Sequence, residues 1–520
     1  MENFRTLQVK DSYYRNYLIL FITFIILTAE AKSQLCNIIP YPDKIEITNG
    51  EFLFNPETGI IAPVSLKATA ELFSDDVKDI IGTRMSVKEK GKAIGNITLK
   101  LDKNITQPEG YILTVSSSYI DITASTSAGI FYGLQSLKQI MICSDGGRLK
   151  AQKITDSPRF SWRGVMLDVS RTFMPVNLVR RYIDLFSQYK LNVVHLHLTD
   201  DQGWRIEIKR YPLLTSVGSK FDAEFNRMGG YYSQDDIREL VRYAQLRNVM
   251  LVPEIELPGH ACAAIASYPD LSCEGIRPKI HTFFEGKSIH EEIFCAGKES
   301  TYEFIFGVLD EICELFPSPY IHIGGDEAPK AMWKKCPLCQ NAMKANNLKN
   351  EEELQSYFVR RIGDHLREKN KTLLGWDEII DGGKLAGDEV LMFWRGWKLD
   401  EVEKEVKAGF RVVCTPTTHC YFDYPYNKIS TRTIYDYEPV MAGTNEKLYL
   451  GVQANFWSHI DRSEPNIDKQ LFPRIMGLAE TAWSKTSNHN WDRFKVSAMA
   501  NIDYLKNQQV NVYPDSTLIK

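Results

Sequence analysis

In YIHIGGDEAP (residues 320–329) two acids, Asp326 and Glu327, stand side by side behind Gly324 and Gly325, at the end of an apolar run. Successive side chains on a strand point to opposite faces, so both acids reach one cavity only where the strand ends and its pleat breaks. The two glycines permit that irregular backbone and a close approach by a ligand. Hydrolysis of a sugar–oxygen bond ordinarily uses two carboxyls ~5–9 Å apart that flank the bond. Sequence neighbours cannot readily stand on opposite sides of a sugar, so one of these acids must do something other than act as nucleophile or base. The plainer alternative is a solvated pair capping the helix into which EAP leads.

The elements that must position such residues can be read from the pattern around them. Eight apolar runs alternate with amphipathic helices: WRGVMLDVS, NVVHLHLTD, VMLVPEIE, YIHIGGD, TLLGWDE, EVLMFWRG, FRVVCTP and LYLGVQANFW. This alternation predicts an α/β fold, a (β/α)8 TIM barrel. Reactive side chains fall at the C-terminal ends of these runs: Asp168 and Arg171, Asp200 and Asp201, Glu256 and His260, Asp326 and Glu327, Trp376 and Asp377, Trp394, and Trp457. Barrel enzymes build their sites on that face. A doubly wound open sheet is the runner-up, but it would ordinarily carry a glycine-rich phosphate turn, and none is convincing here.

Before the barrel, residues 37–155 read as a small α/β accessory domain of short β-rich runs followed by SAGIFYGLQSLKQIMI, whose apolar residues recur at helical spacing. The barrel is expected over 156–510. Residues 1–31 have the order of a signal peptide: Arg5, Lys10 and Arg15, then the apolar YLILFITFIIL, then AEA. The apolar segment is shorter than the ~20 residues a membrane span needs. The expectation is an exported protein, periplasmic or secreted, with no stable membrane insertion after signal removal. A net charge of −4 over 520 residues offers no basic face for phosphates, so nucleic acid is not an expected partner. Among ten cysteines, Cys273 and Cys295 bracket a loop-like segment and are the favoured disulfide pair. Cys336 and Cys339 in CPLC hint at zinc, yet no second Cys or His pair stands at the spacing a closed site needs, so no metal or other cofactor is expected.

HIGGDE resembles the signature of glycoside hydrolase family twenty, the β-N-acetylhexosaminidases. WRGVMLDVSR, HLHLTDDQGWR, PEIELPGH, GWDE and FPRIMGLAETAWS are similar to further family segments in family order, and AGIFYGLQSL resembles the family's accessory domain. The resemblance implies an exo-acting, retaining hydrolase of glycans that end in N-acetylhexosamine. In that family the substrate's own 2-acetamido oxygen attacks the anomeric carbon to give an oxazolinium intermediate, the exception to the two-carboxylate scheme. By the same resemblance Glu327 would protonate the leaving oxygen and then activate water, while Asp326 would accept the acetamide N–H. Tyr421 would donate to the acetamide oxygen; Trp376, Trp394 and Trp457 would wall the pocket. Arg171 and Asp423 would contact sugar, with Asp200 and His260 supporting the acid.

Two departures from the family pattern stand out. Glu256 replaces the usual Asp of PEIELPGH, and after the last strand's tryptophan the run is Trp457-Ser458-His459, where the family usually has a Glu that binds the sugar's 4- and 6-hydroxyls. A Glu would repel an anion at O6, whereas His459 can donate a hydrogen bond and carry charge near its ordinary pKa of ~6.5. This raises the expectation of a preference for 6-sulfated N-acetylglucosamine, set against plain hydroxyl binding by His459. Two rival readings come from other classes. His195-x-His197 could begin a metal-dependent amidohydrolase site, and a non-catalytic glycan-binding barrel would be expected to have lost Glu327. Oligomeric state is not legible.

Overall fold

The computed structural model describes residues 38–144, 147–220, 229–280, 291–383, 385–458 and 463–519. The expected signal peptide lies outside the described residues. Among those residues no helix is long and apolar enough to cross a membrane.

The N-terminal part is a seven-stranded mixed sheet. Its spatial order is Lys44–Leu53, Arg148–Asp156, Tyr111–Val115, Ile120–Ala124, Ile97–Leu101, Ile60–Ile61 and Val87–Lys88. Alternation of buried and half-buried residues along Tyr111–Val115 and Ile120–Ala124 gives the sheet one face packed against helices. The helix Ser127–Ile142 starts at Thr126, whose hydroxyl accepts from the Gly129 N–H at 3.3 Å. Almost every residue of this helix is buried, because its second face packs on the barrel: the Tyr132 ring lies 5.1 Å from that of Trp483, and Arg163 donates to the Tyr132 hydroxyl at 3.1 Å.

The remainder closes into an eight-stranded, all-parallel barrel, as the eight apolar runs predict. In chain order the strands are Trp162–Asp168, Val193–His197, Met250–Glu254, Tyr320–His322, Thr372–Trp376, Val390–Phe393, Arg411–Cys414 and Tyr449–Phe456. The last strand pairs with the first from Gly451↔Trp162 to Phe456↔Leu167, which closes the ring. Helices such as Val176–Ser187, Gln234–Gln245 and Glu351–Glu368 cover the outside with their apolar faces.

The barrel's upper interior is polar. Glu254 faces three imidazoles, with His195 Nε2 at 3.1 Å, His197 Nδ1 at 2.5 Å and His322 Nδ1 at 2.8 Å. These neighbours hold Glu254 well below the usual carboxylate range against the opposing effect of burial. The histidines divide accordingly: burial lowers His195 to about 4, whereas Glu254 and Asp200 outweigh burial and raise His197 to about 10. Both imidazoles of the His195-x-His197 pair are thus tied to Glu254, and His322 at the end of the fourth strand meets the same carboxylate, so the three histidines share one buried acid inside the barrel.

Candidate active site

The strand Tyr320–His322 ends before the acids, and the backbone then leaves the strand conformation through Gly324 (φ +68°) and Gly325 (φ +101°). Both positions are left-handed, which only glycine adopts without cost. There is also no room for a side chain: a Cβ on Gly324 would collide with the Glu256 carboxylate, and one on Gly325 with Ile379. Glu327 itself takes φ +44° and His260 φ +47°. Non-glycine residues held there store strain that surrounding contacts must maintain, a condition concentrated at functional sites.

This irregular turn breaks the pleat and lets Asp326 and Glu327 share one cavity. His260 Nε2 stands 3.7 Å from Asp326 Oδ2 and 3.6 Å from Glu327 Oε2. The Asp326 side chain is 12% exposed and that of Glu327 37%, so the second acid faces the opening and the first faces inward. Burial raises Asp326 to about 6, opposed by the His260 charge and assisted by Glu327. His260 is itself held well above its ordinary value: Asp200 and Asp326 outweigh the cost of burying the cation.

Behind His260 a chain of buried charges runs down into the barrel. His260 Nδ1 lies 3.2 Å from Asp200 Oδ1, and Asp200 Oδ2 lies 2.8 Å from both His197 Nε2 and an Arg171 terminal nitrogen. Asp168 fastens the other side of Arg171. Its carboxylate accepts from the backbone N–H groups of Ser170 (3.0 Å), Arg171 (2.9 Å) and Ser458 (2.9 Å), and from the Arg171 guanidinium at 3.4 Å. The guanidinium lies over the Trp457 ring, 4.7 Å from its centroid, while among the described residues the Arg171 Nε–H has no hydrogen-bond partner. A buried planar donor fork left partly unfilled is suited to a diol or another outside acceptor.

Aromatic side chains wall the remaining space. Trp376 and Trp457 stand 6.0 Å apart between ring centroids, Trp457 and Tyr421 6.2 Å, and Tyr421 and Trp394 6.3 Å. Trp394 is fixed at two points: its backbone N–H donates to Asp377 at 3.0 Å and its indole N–H to Glu378 at 2.8 Å. Asp377 is in turn bound at 2.7 Å by Arg395, which also grips Asp381. Tyr421 forms an isolated bridge with Asn455 on the last strand, and burial with nearby Asp423 and Asp326 keeps its hydroxyl protonated, well above the ordinary range. Asp423 follows on the same loop, pushed by burial to about 7.

Most of the sequence-predicted residues therefore meet at one end of the barrel. His459 lies outside the described residues; its neighbours Trp457 and Ser458 bring the chain to the Arg171 end of the pocket. Sequence reasoning missed Glu378. Its carboxyl accepts from the Glu327 backbone N–H at 3.1 Å as well as from Trp394, and burial with nearby Asp326 raises it to about 8. The signal for it is GWDE, in which Glu378 follows Trp376 and Asp377. The cysteine expectation needs correction. Cys273 and Cys295 are not an isolated pair: Cys336 and Cys339 join them, the four sulfurs lie within 4.8 Å of one another, and the shortest recorded separation is 3.6 Å. The second pair missing from the sequence argument for zinc is Cys273 with Cys295, supplied from a distant part of the chain.

Residues 160–486 match glycosyl hydrolase family 20, catalytic domain, and residues 35–157 match glycosyl hydrolase family 20, domain 2. The chain belongs to glycosyl hydrolase family 20. A β-hexosaminidase of Porphyromonas gingivalis is 34% identical over 487 residues, covering 88% of this chain; the match spans 62% of that relative's length. The β-N-acetylhexosaminidase structure from Bacteroides fragilis superposes with a TM-score of 0.82 at 32% identity, covering 93% of this chain and 98% of that one. An exo-β-N-acetylglucosaminidase of Vibrio harveyi, solved in complex with N-acetylglucosamine, also has a TM-score of 0.82, at 31% identity, with coverage of 92% of this chain and 78% of its own. The family is one of glycoside hydrolases, and the strand-end acids acquire their chemical meaning within it.

Proposed function

We propose that the chain is an exo-acting β-N-acetylhexosaminidase that releases terminal N-acetylglucosamine from glycans by substrate-assisted hydrolysis with retention. The observation that carries this reading is the arrangement of acids around Glu327, with Asp326 beside it in the same turn and the other acids committed elsewhere. Glu378, which accepts from the Glu327 backbone N–H, is raised to about 8, and Glu256, which lies against Gly324 of the same turn, is held well above the carboxylate range by burial and Asp326. Glu378 is thereby mostly neutral near pH 7 and a poor nucleophile, and burial disfavours the charged form of Glu256 in the same direction. Asp168 and Asp200 are committed to Arg171 and His197. The nucleophile is therefore best supplied by the substrate.

In the first step the acetamide carbonyl oxygen attacks C1 as the glycosidic C1–O bond breaks, and the Glu327 carboxylic acid delivers its proton to the departing oxygen. Asp326 accepts the acetamide N–H, orienting the group and offsetting positive charge on the oxazolinium. The Tyr421 hydroxyl donates to the acetamide oxygen, and Trp376, Trp394 and Trp457 exclude water from the N-acetyl group. In the second step Glu327, now a carboxylate, takes a proton from water, whose oxygen attacks C1 and reopens the ring with retained configuration. Neighbouring acids suit this division because the glycosidic oxygen and the acetamide are neighbours on one sugar. The test compares nitrophenyl β-N-acetylglucosaminide with nitrophenyl β-glucoside, using Glu327→Gln as control. Turnover of the first and none of the second is expected; comparable turnover of the glucoside would remove substrate assistance.

A preference for the 6-sulfated sugar is a finer reading, supported by the replacement of the family's Glu by His459 in the sequence and by the unfilled Arg171 Nε–H donor in the pocket. A higher kcat/KM for the 6-sulfated nitrophenyl substrate than for the plain one, reversed in His459→Glu, is the expected result; an unchanged ratio in that variant sinks the idea. Export rests on the leader-like segment alone.

A further inference from the structure

Cys273 follows the short helical turn Pro269–Leu271, Cys295 lies just before the helix Glu299–Leu315, and Cys336 and Cys339 flank the start of the helix Pro337–Ala345. The recorded sulfur separations are 3.6 Å for Cys295–Cys339 and 3.8 Å for both Cys295–Cys336 and Cys273–Cys339. A disulfide requires ~2.05 Å. In a tetrahedral tetrathiolate with zinc–sulfur bonds of ~2.3 Å, the sulfur–sulfur edge is ~3.8 Å. The cluster has the dimensions of that coordination shell.

We propose that Cys273, Cys295, Cys336 and Cys339 form a closed structural site for one zinc-class divalent cation. The surroundings suit it. Cys295, Cys336 and Cys339 are buried, and a buried tetrathiolate needs donors aimed at its sulfurs; the Gly297 backbone N–H supplies one to Cys295. A side chain at Gly297 would collide with the Leu338–Cys339 backbone, so this glycine allows the Cys-Pro-Leu-Cys turn to pack directly on the opposing strand of chain. The Trp333 indole N–H donates to the Phe294 carbonyl at 2.8 Å and holds the same two segments together from the side.

The site has a structural purpose. The chain runs from Glu327 through the helix Ala331–Lys335 straight into Cys336, whereas Cys273 and Cys295 belong to the long loop after the third barrel strand. A cation held by all four would clamp the segment that leaves the catalytic turn to that loop. The coordination shell is complete with four thiolates, so the metal would have no open position for substrate. This inference does not depend on which glycan is cleaved.

The test takes the full chain as purified without reductant and measures its metal content by elemental mass spectrometry and its denatured mass by intact mass spectrometry. One zinc per chain, with these four cysteines fully reduced, is expected. A mass lower by four hydrogens, mapped to two disulfides among these residues, overturns the proposal. Protein isolated reduced and metal-free is titrated with Co(II): saturation at one equivalent, with the intense absorption of tetrahedral thiolate coordination, supports the site, and absence of uptake overturns it. Cys339→Ser should lose that spectrum, while Cys414→Ser, which changes a buried cysteine outside the cluster, should retain it. Should Cys339→Ser fail to fold, the titration of the unmodified chain still decides.

Discussion

Asp326 is largely buried between the His260 cation and its neighbour Glu327, and this placement sets a pH dependence. Burial raises its carboxyl to about 6, so below that pH it is protonated and, in the proposed mechanism, ceases to offer a charged acceptor to the acetamide N–H. The kcat/KM profile should therefore fall on the acid side with an apparent pKa near 6. Asp326→Asn should cost about 10²–10³-fold in kcat and abolish this limb. His260 opposes the upward shift of Asp326, so His260→Phe should move the limb to higher pH, with loss of activity at pH 6 exceeding that at pH 8. A limb that stays in place in His260→Phe would mean that some other group titrates there. Glu378 makes a parallel point: raised to about 8, its half-buried carboxyl sits under the turn and accepts from the Glu327 N–H, a placement that no local spacing in the sequence announces.

At the scale of elements, the decisive piece is the turn between the fourth barrel strand and the helix Ala331–Lys335. Gly324 is irreplaceable for two separable reasons: its left-handed φ, and the Glu256 carboxylate where its Cβ would go. Gly324→Ala should cost about 1–2 kcal/mol from backbone strain alone, with a further loss from displacing Glu256, read as a lowered Tm and a large fall in kcat. Combining it with Glu256→Asp, which withdraws the carboxylate by one methylene, should restore part of the second loss and none of the first. No recovery in the double variant would show that crowding by Glu256 is unimportant. The eight strands and the acids at their ends were legible in the sequence because each strand is a short apolar run whose reactive residues come last. The cysteine cluster was not: Cys273 and Cys295 are spaced like a loop-closing pair, and only the packing of that loop on the helix Pro337–Ala345 brings them to Cys336 and Cys339. His195 and His197 could be read in sequence as the start of a metal site, because the charge that holds them, Glu254, comes from the next strand and no local spacing announces it.

At the scale of the whole molecule, the accessory sheet and the barrel share a buried ionic knot. Lys190, in the turn that follows the barrel helix Val176–Ser187, places its Nζ 2.9 Å from Asp156 Oδ2, on the strand Arg148–Asp156 of the accessory sheet. Tyr111 donates to the same oxygen at 2.6 Å, and the Trp483 indole N–H donates to Asp156 Oδ1 at 2.9 Å. Neither charged side chain is exposed to solvent. Breaking such a pair on one side leaves the partner uncompensated, and Asp156→Ala should destabilise the protein by about 3–5 kcal/mol, measured as a lowered denaturant midpoint. Replacing both members, Asp156→Asn with Lys190→Met, should recover much of that, since the dominant cost is the stranded charge. Because Lys190 and Trp483 belong to the barrel, the two parts should unfold in one transition in the unmodified chain. If Asp156→Ala instead separates unfolding into two steps while the remaining folded enzyme keeps its kcat, the knot couples the domains and leaves catalysis to the barrel; a fall in kcat per folded molecule would mean that the accessory sheet also holds the site in shape.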